Sequence, residues 1–564
     1  MGKNNRMVKV LAEMKQDYAR LETAPTHTVC QPETIMLPMP DGCRLCTVIH
    51  RPIGPGPFPT ILMRSCYPDQ GAILRLHGEE YSRRGFAFVY QICRGTGRSE
   101  GEWQPNVNER ADGKACVDWL AEQNWTGSIG FWGNSYLALT GWVIADILPD
   151  KVKTLYLTHY GTDRFISAYQ CGLFRQDVLT SWAMSNAGFP VSADYQASLR
   201  YRPQVEVDED LWGGRLSWYR DWITNTNRQD IYWNEGFWQL LKEIPAKIKV
   251  PIYIGEGWYD HHLGSALEGW KALAEESKKH SVLRIGAWNH FFQPCTAGAP
   301  TNHLDNSDIR QAFTWFERIL CQDQKPEGCV LTYQINADRW LKQDSYPFNE
   351  TKTTLFYLDA SRIRANAATL GLESAEQTAV ATYTFDPENP VPSHGAEAML
   401  ATTQAIGSLP QPACGYRDDV LSFVSDPLAR PLSILGKIRV VLHVASTADD
   451  TAFAIKLMEI KKDGTAYNIR TGITTLAYRQ SGNQNRQHYE PGTIVEAIID
   501  CWDISWQLPA GSRLRLDITS SDFPQYAIHS NFAGIWSRQA KTQTARQSLY
   551  TGGDTPSRLI LPVN

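Results

Sequence analysis

An α/β sheet with helices on both faces, carrying a helical insertion and followed by an all-β domain, is the fold class this sequence predicts. Three observations predict it. Short apolar runs alternate with helix-like segments in the first third and again after residue 247. A Trp-rich stretch without convincing strands lies between those two regions. Beyond about residue 350 the helix-like segments stop and period-two alternation takes over. The chain has 564 residues, 43% of them hydrophobic, enough for several domains and too apolar for disorder.

The elements follow in order. The N-terminal "MGKNNRMVKVLAEMKQDYARLE" is charged and helix-like, without the apolar core of a secretion signal, and Arg6 stands where a myristoylation signal needs Ser or Thr. "TIMLPMPDGCRLCTVIHRP" reads as a hairpin turning at Pro40-Asp41-Gly42. "FPTILMRSCY", "GFAFVYQICRG" and "VKTLYLTHY" are apolar runs ending at turn residues, as buried parallel strands do. Between them, "VNERADGKACVDWLAEQNW" suits a helix whose buried face is Ala111, Cys116, Trp119 and Leu120. The α/β core is expected over 25–162, interrupted by a helical cap at 163–246. The core resumes over 247–350 with "VPIYIGEGWYD" and "SVLRIGAW". From 351 to 564, Ile438, Val440, Leu442 and Val444 alternate, as do Leu514, Leu516 and Ile518, and Asp463-Gly464 marks a hairpin. Two packed antiparallel sheets, a β-sandwich of the jelly-roll or galactose-binding-like type, fit that pattern.

Composition narrows the function. A formal charge of -5 without a basic run argues against nucleic acid as the main partner. No apolar run approaches membrane-spanning length, and a soluble cytoplasmic protein is expected, with a homodimer as its candidate assembly. The twelve cysteines are scattered, and the lone CxxC, Cys43 and Cys46, has no second ligand pair, so they read as small core residues and no metal is expected.

One serine carries the chemistry. In "SIGFWGNSYLALTGWVIADILP", Ser135 sits where a strand runs into a helix. It is either an N-cap at an ordinary βα junction or a nucleophile on a sharp turn; Leu137 fills the second glycine position of GxSxG, so the motif alone leaves both readings open. A base and an acid decide between them. In α/β-hydrolases the order is Ser, then Asp or Glu, then His. Asp260 and His290 follow in that order, each just past a predicted strand, where open α/β sheets place their chemistry. Glu256 is the alternative acid, and His443, inside a sandwich strand, reads as structural.

"GNSYLAL", "GEGWYDHHLG" and "GAWNHF" resemble the nucleophile, acid and histidine motifs of the cocaine-esterase-like (CocE/NonD) serine hydrolases, relatives of the X-Pro dipeptidyl-peptidases. "RGTGRSEGEW", "FDPENPVPSHG", "DDVLSFVSDPL" and "AGSRLRLDITSSDFP" extend the resemblance over nearly the whole chain. It implies Ser135 as nucleophile, His290 as base and Asp260 as orienting acid, with the Tyr67 hydroxyl and the Tyr136 N–H as oxyanion donors. Apart from the resemblance, Tyr67 reads as an amphipathic core tyrosine. Three residues depart from the pattern: Ala138 for glycine, Ile92 for an acidic residue before Arg94, and Cys66 for proline. Relatives acting on α-amino-acid esters hold the ammonium with carboxylates, including some just after the acid. This chain has His261 and His262 there, which argues against that substrate. His262 and Trp182, the latter from the aromatic cap, are the candidate pocket residues. The expected activity is cofactor-free hydrolysis of a small-molecule ester, with X-Pro dipeptidyl-peptidase or amidase activity and acyl transfer as rivals and an inert carbohydrate-binding protein as the remaining alternative.

Overall fold

The computed structural model describes residues 3–348, 352–364, 366–480 and 485–564. Ten strands form the first sheet: β1 (Glu33–Pro38), β2 (Arg44–His50), β3 (Phe58–Ser65), β4 (Ala87–Ile92), β5 (Thr126–Asn134), β6 (Val152–Thr158), β7 (Ile252–Tyr259), β8 (Val282–Asn289), β9 (Cys329–Gln334) and β10 (Arg339–Gln343). Their order is β1-β2-β4-β3-β5-β6-β7-β8-β9-β10. The strands from β4 to β9 in that order run parallel, while β1, β2 and β10 add antiparallel edges, so the sheet is mixed. The expected hairpin is present, with Pro38 paired to Arg44 across the turn.

Alternation along a strand sends neighbouring side chains to opposite faces, and both faces here are apolar. Phe131 of β5 and Leu155 of β6 enter one core with the helices Glu109–Glu122, Tyr136–Trp142 and Leu263–Ala272. Trp132 and Tyr156 enter a second core with Gly71–Ser82 and Asp308–Phe316. Each fully buried large apolar side chain contributes roughly 1.5–3 kcal/mol.

The helix Glu109–Glu122 corrects one expectation. Ala111 is exposed, and the inward face is Glu109, Asp112, Gly113, Cys116, Val117 and Leu120. Two acidic residues turn inward because arginines wait there. Glu109 meets the buried Arg64 at 2.8 Å and Asp112 meets Arg94 at 2.7 Å. Asp41 adds a second carboxylate to Arg94, which therefore has acidic support without an acidic residue at position 92.

Between β6 and β7 the chain is mainly helical, with Gln176–Ser185, Ser217–Thr224 and Gly236–Glu243 the longer pieces. It also holds a two-residue antiparallel pair, Tyr169–Gln170 with Leu173–Phe174. From Lys352 onward the described residues form an all-β domain of twelve strands. These hydrogen-bond in one continuous network, because the 15-residue strand Leu432–Ser446 is long enough to pair with Val495–Leu508, Ala545–Thr551 and Arg558–Val563. Ile438, Val440, Leu442 and Val444 are buried, as the alternation predicts, and Gly464 turns the Asp463-Gly464 hairpin at φ +88°.

The two domains share one apolar core and several polar ties. Arg470, fully buried, donates to the Trp258 carbonyl of β7 at 2.5 Å and faces Glu397 at 3.4 Å. Asp177 of the helical segment accepts from the Ala401 N–H at 3.0 Å. Among the described residues no helix is long and apolar enough to cross a membrane, and no two cysteines are joined in a disulfide.

This packing can be tested at two buried groups. Arg470→Met should cost about 3 kcal/mol or more, since it strands a buried carboxyl and a carbonyl; an unchanged urea midpoint would contradict that. His77 is buried against Trp132 with its Nδ1 paired to the Tyr18 hydroxyl, and burial pushes its pKa down to about 3. Unfolded, the imidazole takes a proton below about 6.5. The unfolded state therefore binds the extra proton between about pH 6.5 and 3, and the stability present above about 6.5 is lost as pH falls. His77→Gln should remove about 1.4 kcal/mol per pH unit from that slope between about pH 4 and 6, as read from urea unfolding at several pH values.

Candidate active site

Four side chains stand at the carboxyl ends of four neighbouring parallel strands. Ser135 follows β5, His159 follows β6, Asp260 follows β7 and His290 follows β8. Adjacent strands lie about 4.8 Å apart, so residues distant in sequence arrive at one rim.

Ser135 leaves β5 on a turn with φ 56° and ψ −128°, a conformation rare for a residue with a side chain. The turn is held by Ser135 N–H donating to the Thr158 carbonyl and by the Ala138 N–H donating to the Ser135 carbonyl. Gly133 is required by proximity: a Cβ there would stand 2.3 Å from the Leu137 carbonyl oxygen. Ser135 occupies the N-cap position of the helix Tyr136–Trp142, but its hydroxyl makes no capping bond. Instead Ser135 Oγ lies 2.9 Å from His290 Nε2, and His290 Nδ1 lies 2.5 Å from Asp260 Oδ2.

Asp260 has no exposed surface, and burial alone would raise its pKa. Against burial, the neighbouring His290 and His261 rings and the His290 hydrogen bond hold the carboxyl well below its usual range. Its Oδ1 accepts the His262 N–H at 2.7 Å. A carboxylate only accepts, so His290 Nδ1 carries the hydrogen and Nε2 presents a lone pair to the Ser135 hydroxyl. Glu256, the alternative acid, is fully buried near Asp260; burial and the Asp260 charge push its carboxyl well upward, and His290 pairs with Asp260 instead.

The other expected residues gather around the same cavity of about 760 Å³, lined by Tyr67, Ser135, Tyr136, Trp182, His262 and His290 among others. The Tyr67 hydroxyl accepts from Trp182 Nε1 at 3.1 Å. Burial raises its pKa well above the ordinary value, so its proton stays on. Cys66, where the family pattern has proline, is buried beside it. The Tyr136 ring stacks on Trp182 at 6.0 Å, and its hydroxyl donates to Glu109, which also holds Arg64. Tyr136 is the first residue of its helix, so its N–H lies outside the intrahelical ladder. His262 Nδ1 pairs with Ser167 Oγ at 2.9 Å. Burial pushes both His262 and His261 well below the usual imidazole range. Leu400 and Ala401 of the all-β domain complete part of the wall.

His159 is a site residue that the motifs do not single out, although its place just after a strand marks it for this rim. Its φ is 51°, its ring lies 5.4 Å from that of His290, and burial lowers its pKa to about 3. It pairs with the Asn134 amide and accepts from Trp288 Nε1. His159, Asp260 and His290 bring ligand-type atoms within 4.8 Å of one another. Both nitrogens of His159 and of His290 are already engaged, so the group reads as a hydrogen-bond network. Arg164, which no motif marks either, lines the cavity beside His261 and His262.

Comparison with known proteins agrees with this architecture. Residues 41–292 match the X-Pro dipeptidyl-peptidase (S15 family) model, and residues 322–560 match the X-Pro dipeptidyl-peptidase C-terminal non-catalytic domain. The cocaine esterase of Rhodococcus sp. (strain MB1 Bresler) is 28% identical over 568 residues, covering 94% of this chain and 98% of that protein. Among solved structures, an α-amino acid ester hydrolase superposes with a TM-score of 0.80 at 21% identity, covering 96% of this chain and 97% of its own. A CocE/NonD family hydrolase from Staphylococcus aureus gives 0.65 at 17%, covering 95% and 93%. The α/β-hydrolase-like domain, the all-β domain behind it and these matches thus make the chain similar along nearly its whole length to the cocaine-esterase-like (CocE/NonD) hydrolases and to the X-Pro dipeptidyl-peptidases, whose two family models it matches in order.

Proposed function

We propose that this protein is a serine esterase that cleaves carboxylic esters through an acyl-enzyme on Ser135. The observation that carries the reading is the unbroken relay from Ser135 Oγ through His290 to Asp260, at 2.9 and 2.5 Å. As the ester carbonyl is attacked, His290 Nε2 takes the Ser135 proton and then delivers it to the leaving alcohol. Water repeats the cycle on the acyl-enzyme, with His290 again as base. Asp260, ionised in the interior, holds the tautomer that leaves Nε2 free to accept and offsets the imidazolium charge as it forms.

The carbonyl oxygen gains negative charge at the tetrahedral stage, and two donors are assigned to it: the Tyr67 hydroxyl, protonated and already accepting from Trp182, and the Tyr136 N–H. In this reading the 163–246 segment serves as a cap, with Trp182 and Trp222 as apolar wall, and the all-β domain as a jelly-roll support. Esters are preferred over X-Pro amides because no carboxylate stands just after the acid to hold a free ammonium: His261 and His262 occupy those positions.

Ser135→Ala and His290→Ala should each abolish turnover of short acyl esters, and Ser135→Ala should abolish labelling by a fluorophosphonate; equal labelling of that variant would remove Ser135 as nucleophile. Tyr67→Phe should lower kcat by about 10²–10³-fold with little change in KM, because the oxyanion forms after binding. Steady-state kinetics checks this, and an unaltered kcat would strike Tyr67 from the mechanism.

A further inference from the structure

We infer that the cavity beside Ser135 selects esters bearing a free carboxylate, and that Arg164 is the residue that holds it. This rests on the ester-hydrolase reading and names the substrate class for that site.

Arg164 opens the helix Arg164–Ala168 and is only 8% exposed, yet it lines the same cavity as Ser135, His290, His261 and His262. Among the described residues, no carboxylate lies within ion-pair distance of its guanidinium. Its sequence neighbour Asp163 is taken by Arg228. Other buried arginines are treated differently: Arg64 meets Glu109, Arg84 meets Glu80, and Arg515 meets Asp517. Arg175 has no ion pair but bonds to Tyr526 and Gln170. A guanidinium withdrawn from water without a counter-ion is costly, and a cavity opening onto it lets a ligand supply the missing charge.

The surroundings suit an anion. The guanidinium lies over the Trp222 ring, 4.9 Å from its centroid, with the Tyr160 hydroxyl beside it; its planar fork carries five N–H groups, enough to hold that hydroxyl and still make two parallel bonds to a carboxylate. His261 and His262 flank it, pushed toward the neutral form by burial and by Arg164 itself, so they add polar edges without competing negative charge. The carboxyl groups elsewhere in the lining are otherwise placed: Asp69 is exposed, and Asp308 accepts the Tyr156 hydroxyl. A substrate ammonium would meet a cation here; a carboxylate would meet its partner.

Either half of the ester could carry that group, so the test has two matched pairs followed by pH-stat titration. Methyl hydrogen adipate against methyl hexanoate places the carboxylate in the acyl half. Butanoyloxyacetate against ethyl butanoate places it in the alcohol half. The wild-type protein should prefer the acidic member of at least one pair. Arg164→Met should lower the acid-to-neutral ratio of kcat/KM by roughly 10- to 100-fold, chiefly through KM, and Arg164→Lys should restore part of it. An unchanged ratio, or a wild-type preference for the neutral member of both pairs, overturns the inference.

A calorimetric titration of Ser135→Ala with each acidic ester separates this inference from the reading beneath it. Saturable binding that disappears in the Ser135→Ala/Arg164→Met double variant supports the carboxylate subsite even if no ester is hydrolysed, an outcome that would sink the hydrolase reading alone. Binding that survives Arg164→Met overturns the subsite. Thermal melting and fluorophosphonate labelling of Arg164→Met check that the fold and Ser135 are intact.

Discussion

The site depends on one negative charge kept in the protein interior. Removing a carboxylate from water costs several kcal/mol unless donors replace the solvent. Asp260 receives the His290 ring N–H on one oxygen and the His262 backbone N–H on the other. Three further imidazoles crowd the same region, and burial keeps His159, His261 and His262 from adding positive charge. Glu256, so close beneath, is driven toward its acid form by burial and by that same charge. One anion can stabilise one imidazolium, and the geometry reserves that place for His290, the ring that also touches Ser135.

A second constraint is steric. The chain must leave β5 upward and enter a helix within one residue, which forces Ser135 into a strained backbone state and forbids any side chain at 133. The strain has a chemical return, because a hydroxyl that cannot fold back to cap its own helix is left for the imidazole. Neighbouring strands maintain the arrangement: the bond from Ser135 N–H to the Thr158 carbonyl ties the turn to β6, whose following residue, His159, is itself held by Asn134 and Trp288.

Much of this is legible in the primary structure. Turn residues bound the strands, alternation exposes the all-β domain, and the order Ser135, Asp260, His290 with strand-end placement picks out three residues that the fold then brings within hydrogen-bond reach. What escapes a linear reading depends on contacts between remote segments. The buried face of Glu109–Glu122 departs from the apolar periodicity at Ala111 because the inward residues are acids matched to Arg64 and Arg94, a pairing that periodicity does not register. Arg164 gives no local signal either; what distinguishes it is that among the described residues no carboxylate lies within ion-pair distance, a property of the folded environment. The single hydrogen-bonded network of the all-β domain is likewise hidden, since alternation reports faces and says nothing of how many partners a long strand acquires.

The bond from Arg470 to the Trp258 carbonyl bears on whether the chain can be divided. Trp258 lies two residues before Asp260, and the wall at Leu400 and Ala401 comes from the same C-terminal half. The first domain severed from its companion would therefore keep Ser135, Asp260 and His290 yet lose both an anchor beside Asp260 and one side of the chamber. Either loss would have to be made good from elsewhere, so the chamber belongs to the pair of domains and to neither alone.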